Sequence, residues 1–238
     1  MKDVAIVSIG YKEHLNNDEI ISLERCLKVF NTRDIFMVVP DNLSIIEYET
    51  IALANNAKIT FVKISPIWFE SISNYSKLLI QNFFYEYFNE YKYILIYQLD
   101  CYVFKDNLDY FIKMDYNYYG AVWAYENLYK VVGNGGLSLR KITAFLENIK
   151  ERKDLDFINS EECSFVEDYA FCNGFYPIKN RCPFNIAEEF SFETSANWRN
   201  PEQMTINDFP MGLHGFSKDC FKDVMGQMII KWKELNNE

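Results

Sequence analysis

An α/β fold built on a mostly parallel sheet with helices on both faces is the class predicted for this chain of 238 residues. Two observations carry the expectation. Strand-like and helix-like stretches alternate with short connections from Val4 to Ile64. Further on, Tyr91-Lys92-Tyr93-Ile94-Leu95-Ile96-Tyr97 has the β-branched and aromatic make-up of a strand buried on both faces, and polar side chains follow it.

The elements are expected in this order. Val4-Ala5-Ile6-Val7-Ser8-Ile9 is a strand ended by Gly10-Tyr11-Lys12-Glu13. A helix over 18–30 follows, with Ile20, Ile21, Leu23, Leu27 and Phe30 on one apolar face. Residues 34–39 form a second strand, stopped by Pro40-Asp41, and a short helix over 44–55 leads to a third strand over 58–64. This winding is that of nucleotide-binding folds, yet no Gly-x-Gly-x-x-Gly follows the first strand, which argues against a dehydrogenase. One helix over 73–89 delivers the chain into the central strand. Beyond it come a short helix over 106–113, a strand over 118–123 and a helix from about 140 to 152. Residues 187–198 are polar and aromatic with little periodicity, and a last helix spans 218–235.

Composition removes several function classes. The formal net charge is −10, from 24 Lys plus Arg against 34 Asp plus Glu. With no basic run, a nucleic-acid partner is not expected. A diphosphate bound by so acidic a chain would need a metal ion to offset its charge. Phe (20) and Tyr (17) are abundant, but Tyr suits a core as well as a carbohydrate or nucleotide site, so their number decides nothing. The six cysteines include no Cys-x-x-Cys pair and read as free thiols, which leaves structural zinc unsupported. Met1-Lys2-Asp3 runs straight into a strand, so no secretory signal is read, and no apolar stretch approaches the roughly 20 residues of a membrane span. The expected location is the cytoplasm, with peripheral recruitment to the inner membrane face as the alternative.

Three stretches carry chemistry. Gln98 and Asp100 lie two residues apart after the central run, a spacing that in a strand puts both side chains on one side, at the carboxyl end where ligands of open α/β sheets sit. Asp100 offers an oxygen ligand to a hard divalent cation, although an Asp at a strand end also fits a simple turn. Val131-Val132-Gly133-Asn134-Gly135-Gly136-Leu137-Ser138-Leu139-Arg140 has three glycines around one Asn. It suits either a tight turn or a loop whose backbone amides approach a sugar or phosphate. Glu161-Glu162-Cys163-Ser164-Phe165-Val166-Glu167-Asp168 leads into an apolar periodic run, which fits a charged helix start or a pair of catalytic carboxylates. His214, between Gly212 and Gly215, is expected in an exposed, turn-like setting as a ligand or base.

In this order the pieces resemble a GT-A glycosyltransferase, and more narrowly a small bacterial family with Tyr-Gln-Leu-Asp, Gly-Asn-Gly-Gly-x-Ser-Leu-Arg, Glu-Asp and Gly-x-His motifs. The resemblance spans about 4–216. It implies a Rossmann-like sheet abutting a smaller, acceptor-side mixed sheet within one domain, with a nucleotide-binding half over about 1–104 and an acceptor and catalytic half over about 105–238. It also implies transfer of a sugar from a nucleotide-diphosphate donor, a UDP-sugar being favoured, to a hydroxyl of a bacterial surface glycan or lipid-linked acceptor. Mn²⁺ or Mg²⁺ would sit at Asp100 and His214. Gly10, Tyr11, Glu13, Gln98, Asp100, Gly135 and Gly136 would bind the donor and its nucleotide. Trp123 and Asn134 would lie on the acceptor side. Asp168, beside Glu167, would be the base of an inverting reaction. Gln98 departs from the family's Asp-x-Asp pattern, leaving one negative charge fewer. Starting the motif at Asp100 instead would put Tyr102 where a carboxylate belongs. Arg140 would either assist the diphosphate or begin a helix at the surface.

Two other classes remain in view. A nucleotidyltransferase would use a similar sheet and a metal carboxylate, but its glycine-rich basic signature is reduced here to Gly10 and Lys12. A catalytically silent nucleotide- or sugar-binding module would account for Gln98.

Overall fold

The computed structural model describes residues 1–123, 131–160, 163–164, 166–193 and 200–238. The acidic pair at 161–162 and the end of the aperiodic stretch, 194–198, thus lie outside the described residues. The first half alternates as expected: β1 (Lys2–Ile9), α1 (Asn17–Val29), β2 (Asp34–Pro40), α2 (Ile46–Ala54) and β3 (Ile59–Ile64). Helix α1 starts on a capping box, in which Asn16 Oδ1 accepts from the Glu19 amide and the Glu19 carboxylate accepts from the Asn16 amide, satisfying two end groups at once.

The single helix expected over 73–89 is instead two, α3 (Ile72–Leu78) and α4 (Asn82–Glu86). Neither Pro nor Gly breaks it. Leu78, Leu79 and Ile80 are consecutive and all buried, and consecutive positions on a continuous helix fan out over about 200°. The break buries all three, and the Lys77 carbonyl accepts the Ile80 amide at 3.3 Å and the Gln81 side chain at 2.8 Å.

The chain then enters β4 (Tyr91–Tyr97), β5 (Cys101–Val103), α5 (Leu108–Met114), β6 (Tyr118–Trp123) and β7 (Val131–Lys141). Helices α6 (Ile142–Glu151), α7 (Leu155–Asn159), α8 (Glu167–Asn173) and α9 (Phe184–Phe190) follow, then β8 (Ser191–Phe192), β9 (Gly212–His214) and α10 (Lys222–Asn236). Six strands make one sheet in the order β3-β2-β1-β4-β7-β6, parallel from β3 to β4 and antiparallel at β7 and β6. All of Tyr93–Tyr97 is fully buried, so both faces of β4 are covered. A second, mixed sheet runs β5-β9-β8. Its Tyr102 and Leu213 pack with Phe104, Phe209 and Phe216 against Met225, Met228 and Trp232 of α10. Among the described residues, no helix is long and apolar enough to cross a membrane.

Two details of this layout place the site. The central sequence run does not continue as one strand. It leaves the large sheet at Tyr97, turns through Gln98–Asp100 and enters the small sheet at Cys101, with the Cys101 amide donating to the Gln98 carbonyl at 3.0 Å. Strand β7 bulges, because its pairing with β6 jumps from Tyr119↔Leu139 to Ala121↔Asn134. The Asn-Gly-Gly stretch lies in that bulge beside the turn, tied by the Gln98 amide to the Gly136 carbonyl at 3.0 Å.

Candidate active site

The turn between the two sheets is pinned from below. Ser22 Oγ donates to the Cys101 carbonyl at 2.7 Å, and the buried Tyr97 hydroxyl lies 2.9 Å from the carbonyls of Ser22 and Cys101. The register of β5 with β9 sets Cys101 opposite His214, and the Gly215 and Phe216 amides donate to the Asp100 backbone carbonyl at 2.9 and 3.1 Å. Gly215 makes this return at φ 78°, a left-handed conformation that side chains resist. His214 is therefore buried in a strand rather than exposed in a turn. The flanking glycines suggest a turn, but the room for the ring comes from a glycine distant in sequence: a methyl group on Gly136 would lie 2.0 Å from His214 Nε2.

Around His214 the polar groups converge. Its Nε2 is 3.3 Å from Asp100 Oδ1 and 3.2 Å from Gln98 Oε1. On the other side, Nδ1 lies 3.2 Å from Glu193 Oε1. Lys218 Nζ stands 3.4 Å from that same oxygen and 3.7 Å from Asp100 Oδ2. Glu193 Oε2 accepts from Asn134 Nδ2, and Asn134 Oδ1 accepts from the Gly136 amide at 3.1 Å. Burial by itself would push the His214 pKa down, but the carboxylates of Asp100 and Glu193 beside its two nitrogens outweigh it and raise the pKa to about 9. Burial acts upward on Asp100, and His214 and Lys218 overcome it to hold the carboxylate below its usual range. Gln98 and Asp100 do meet, but through a turn and a shared histidine, not through the pleat of one strand.

The donor set fits a hard divalent cation. Asp100 Oδ1 is buried without an aligned hydrogen bond, and it faces an imidazole nitrogen and an amide oxygen. Three lone-pair atoms at one point call for a positive species, which is a proton on Nε2 or a cation bound by the same atoms. Cys101 lies within the same group, but burial raises its thiol pKa well above the usual value and the thiol donates to the Gly136 carbonyl at 3.3 Å, so it is a poor ligand.

A second cluster touches the next glycine. A methyl group on Gly135 would fall within 3.0 Å of Glu167, Asp168 and Arg140. Asp168 Oδ2 accepts the Gly135 amide at 3.1 Å, and Oδ1 accepts its neighbour Tyr169's amide at 2.7 Å. Arg140 is fully buried, not a surface residue. Its guanidinium donates to Glu167 Oε1 at 2.8 Å, Ser138 Oγ at 2.9 Å, the Tyr85 hydroxyl at 3.2 Å and the Gly135 carbonyl at 3.3 Å. Glu167 is thereby committed to an ion pair. Asp168, partly buried at the start of α8, is pushed up to about 7 by burial and by the Glu167 charge, against the Gly135 and Tyr169 amides and Arg140. Trp123 packs over Gly133, with its ring 6.3 Å from that of half-exposed Tyr169.

Of the residues singled out in the sequence, Gln98, Asp100, Asn134, Gly136 and His214 form one cluster, and Gly135, Glu167 and Asp168 adjoin it. Gly133, Gly135 and Gly136 have no positive φ. They serve close approach, and the amides of Gly135 and Gly136 are engaged by side chains of the protein. Gly10, Tyr11 and Glu13 stand where β1 ends, at the same sheet edge as Tyr97, with Tyr11 exposed. Glu193 and Lys218 were not singled out. Glu193 falls in the aperiodic stretch, and only pairing of β8 with β9 brings it to His214.

The fold is shared with solved glycosyltransferases of low identity. GlyE of Streptococcus pneumoniae TIGR4 superposes with a TM-score of 0.59 at 14% identity, covering all of this chain and 63% of that one. This chain thus spans less than two thirds of GlyE. A glycosyltransferase involved in glycosylation of the major capsid of PBCV-1 gives 0.53 at 14% identity, over 95% of this chain and 99% of that one. Core-mannan synthase A of Aspergillus fumigatus, in an Mn/GDP form, gives 0.53 at 10% identity, over 76% and 71%. The architecture is the GT-A one that these structures share. No curated protein matches the chain. A family model matches residues 58–214, which run from the third strand to His214 and include Gln98, Asp100, Asn134, Glu167, Asp168 and Glu193, so the chain belongs to the family described as "Protein of unknown function (DUF5672)".

Proposed function

We propose that the chain transfers a sugar from a nucleotide-diphosphate donor, preferably a UDP-sugar, to a hydroxyl of a glycan or lipid-linked acceptor, with inversion at the anomeric carbon. The observation that carries this reading is the convergence of Asp100 Oδ1, Gln98 Oε1 and His214 Nε2 against Gly136, one residue from the glycine that holds Asp168. The fold common to three glycosyltransferases supports it, one of them described with Mn and GDP.

Mn²⁺ or Mg²⁺ held by Asp100, His214 and Gln98 would supply Lewis-acid stabilisation of the charge that develops on the leaving diphosphate. In this reading Asp168 acts in its ionised form. It takes the acceptor hydroxyl proton as that oxygen attacks the anomeric carbon, and the bond to the diphosphate oxygen breaks with its electron pair leaving on the nucleotide. A pKa of about 7 matches a base that works near neutrality. Arg140 holds Glu167 in a buried ion pair, so the role of Glu167 is electrostatic. In this reading the donor sugar lies beside the Gly135–Gly136 backbone, whose side-chain space the protein itself fills, Trp123 and Asn134 mark the acceptor side, and Tyr11, with Gly10 and Glu13, offers an aromatic surface to the nucleotide base.

The test is thermal stability and nucleotide release with a panel of nucleotide sugars, each with and without Mn²⁺. A stabilisation confined to one nucleotide class and dependent on Mn²⁺, with slow release of that nucleoside diphosphate, is expected. A panel covering uridine, guanosine, cytidine and thymidine donors that neither stabilises the protein nor is turned over would refute the reading.

A further inference from the structure

We infer that Glu193, through Asn134, is a positioning residue that fixes the tautomer of His214 so that Nε2 is free to bind a divalent cation. This rests on the cation site proposed above and adds a residue to it.

The inference follows a chain of donors and acceptors. The Gly136 amide is a donor and takes Asn134 Oδ1 as acceptor at 3.1 Å. That fixes the Asn134 amide, so its Nδ2 donor points at Glu193 Oε2. Glu193, a buried carboxylate, accepts there. Its other oxygen lies 3.2 Å from His214 Nδ1, a buried nitrogen with no aligned hydrogen bond and no other partner to take its proton, and 3.4 Å from Lys218 Nζ. An oxygen that offers only lone pairs to Nδ1 favours a proton on Nδ1. The lone pair of the neutral ring is then on Nε2, which is the nitrogen beside Asp100 Oδ1 and Gln98 Oε1. Gln98 is oriented in the same sense, because its Nε2 donates to the Tyr75 hydroxyl at 2.9 Å and leaves Oε1 towards the ring. A carboxylate behind a metal-binding histidine orients the ring and strengthens it as a ligand.

The network also predicts why the nearly isosteric amide fails at this position. In Glu193→Gln, one end of the side chain becomes a donor. Turned to Asn134, that NH₂ meets another NH₂ whose orientation Gly136 holds. Turned the other way, it meets Lys218 and donates to His214 Nδ1, which puts the proton on Nε2 and blocks the cation. Glu193→Asp keeps acceptor-only chemistry at a shorter reach.

The decisive measurement is Mn²⁺ affinity without nucleotide, from the electron paramagnetic resonance signal of free Mn²⁺, for the wild type, Glu193→Gln, Glu193→Asp and His214→Ala. Glu193→Gln is expected to bind 10- to 100-fold more weakly, and Glu193→Asp to recover part of the loss. Nitrogen-15 spectra read the tautomer directly, since the chain has two histidines. With Mg²⁺ bound, His214 should carry its proton on Nδ1 in the wild type and lose that signature in Glu193→Gln. Wild type and Glu193→Gln binding Mn²⁺ equally, with His214→Ala weakened, overturns the role of Glu193 and leaves the cation site standing. A wild type that binds no Mn²⁺ overturns both.

Discussion

Asp168 Oδ2 accepts the Gly135 amide at 3.1 Å, while Gly136 lies against the ring of His214. Two adjacent glycines thus divide a carboxylate of raised pKa from a cluster suited to a cation, which in the proposed reaction are the base and the leaving-group site.

Replacing Asp168 with Asn is expected to reduce transfer by 10² to 10⁴-fold and leave donor binding intact. Asn still accepts the Gly135 amide, so the backbone stays in place. The same change should stabilise the protein above neutral pH. The folded pKa of Asp168, about 7, lies above its ordinary value of 3.8. Its contribution to stability is therefore fully present below 3.8 and is lost as pH rises through about 7. Melting curves at pH 5 and pH 8 check this: the mutant should gain several degrees over wild type at pH 8 and little at pH 5. A mutant that transfers at the wild-type rate removes Asp168 as the base.

How much of this was legible depends on what each residue's partners are. The parallel half was readable because alternation of buried strands and amphipathic helices is local. Asp100, Asp168 and His214 were readable as chemistry-bearing types beside turn residues. The burial of His214 was not, since it depends on β9 pairing with β5 across the chain and on a missing side chain at Gly136. Glu193 was not, because its partners Asn134 and His214 are distant in sequence and no period links them. Sequence leaves Arg140 open between surface and site for the same reason: it lies in β7, and its partner Glu167 comes from α8. The break between α3 and α4 has no breaker residue, and only the core asks for it.

Arg140 and Glu167 form a pair in which both side chains are buried, 2.8 Å apart. Arg140→Met should cost about 3–5 kcal/mol, because it strands the Glu167 charge. Adding Glu167→Leu should recover part of that loss, since the stranded charge goes with it. Urea unfolding of the two single variants and the double variant gives the coupling. Additive losses would show that the pair does not act as a unit.

Gly136→Ala offers a structural test of the seam. Its Cβ would sit 2.0 Å from His214 Nε2, so the ring must move from Asp100 and Gln98 or the backbone must shift. Mn²⁺-dependent donor stabilisation should be lost, and Asp100→Ala should lose it as well. Gly226→Ala, where nothing lies within 4 Å, should leave Mn²⁺ dependence unchanged. Retention of Mn²⁺ dependence in both Gly136→Ala and Asp100→Ala would remove the cation from this site.

Mn²⁺ binding should itself depend on pH, with a sign set by His214. Its folded pKa, about 9, lies above the ordinary 6.5, so in the metal-free protein Nε2 carries a proton at neutral pH. The stability this proton confers is fully present below 6.5 and is lost as pH rises through about 9. A cation entering between Asp100, Gln98 and His214 must displace that proton. Mn²⁺ affinity should therefore climb with pH up to about 9 and level off there, by up to tenfold per pH unit for one proton released. Calorimetric titrations in buffers of different ionisation enthalpy count the proton directly. A flat affinity with no proton release would mean that Nε2 is not a ligand, and that Asp100 holds the cation without the histidine.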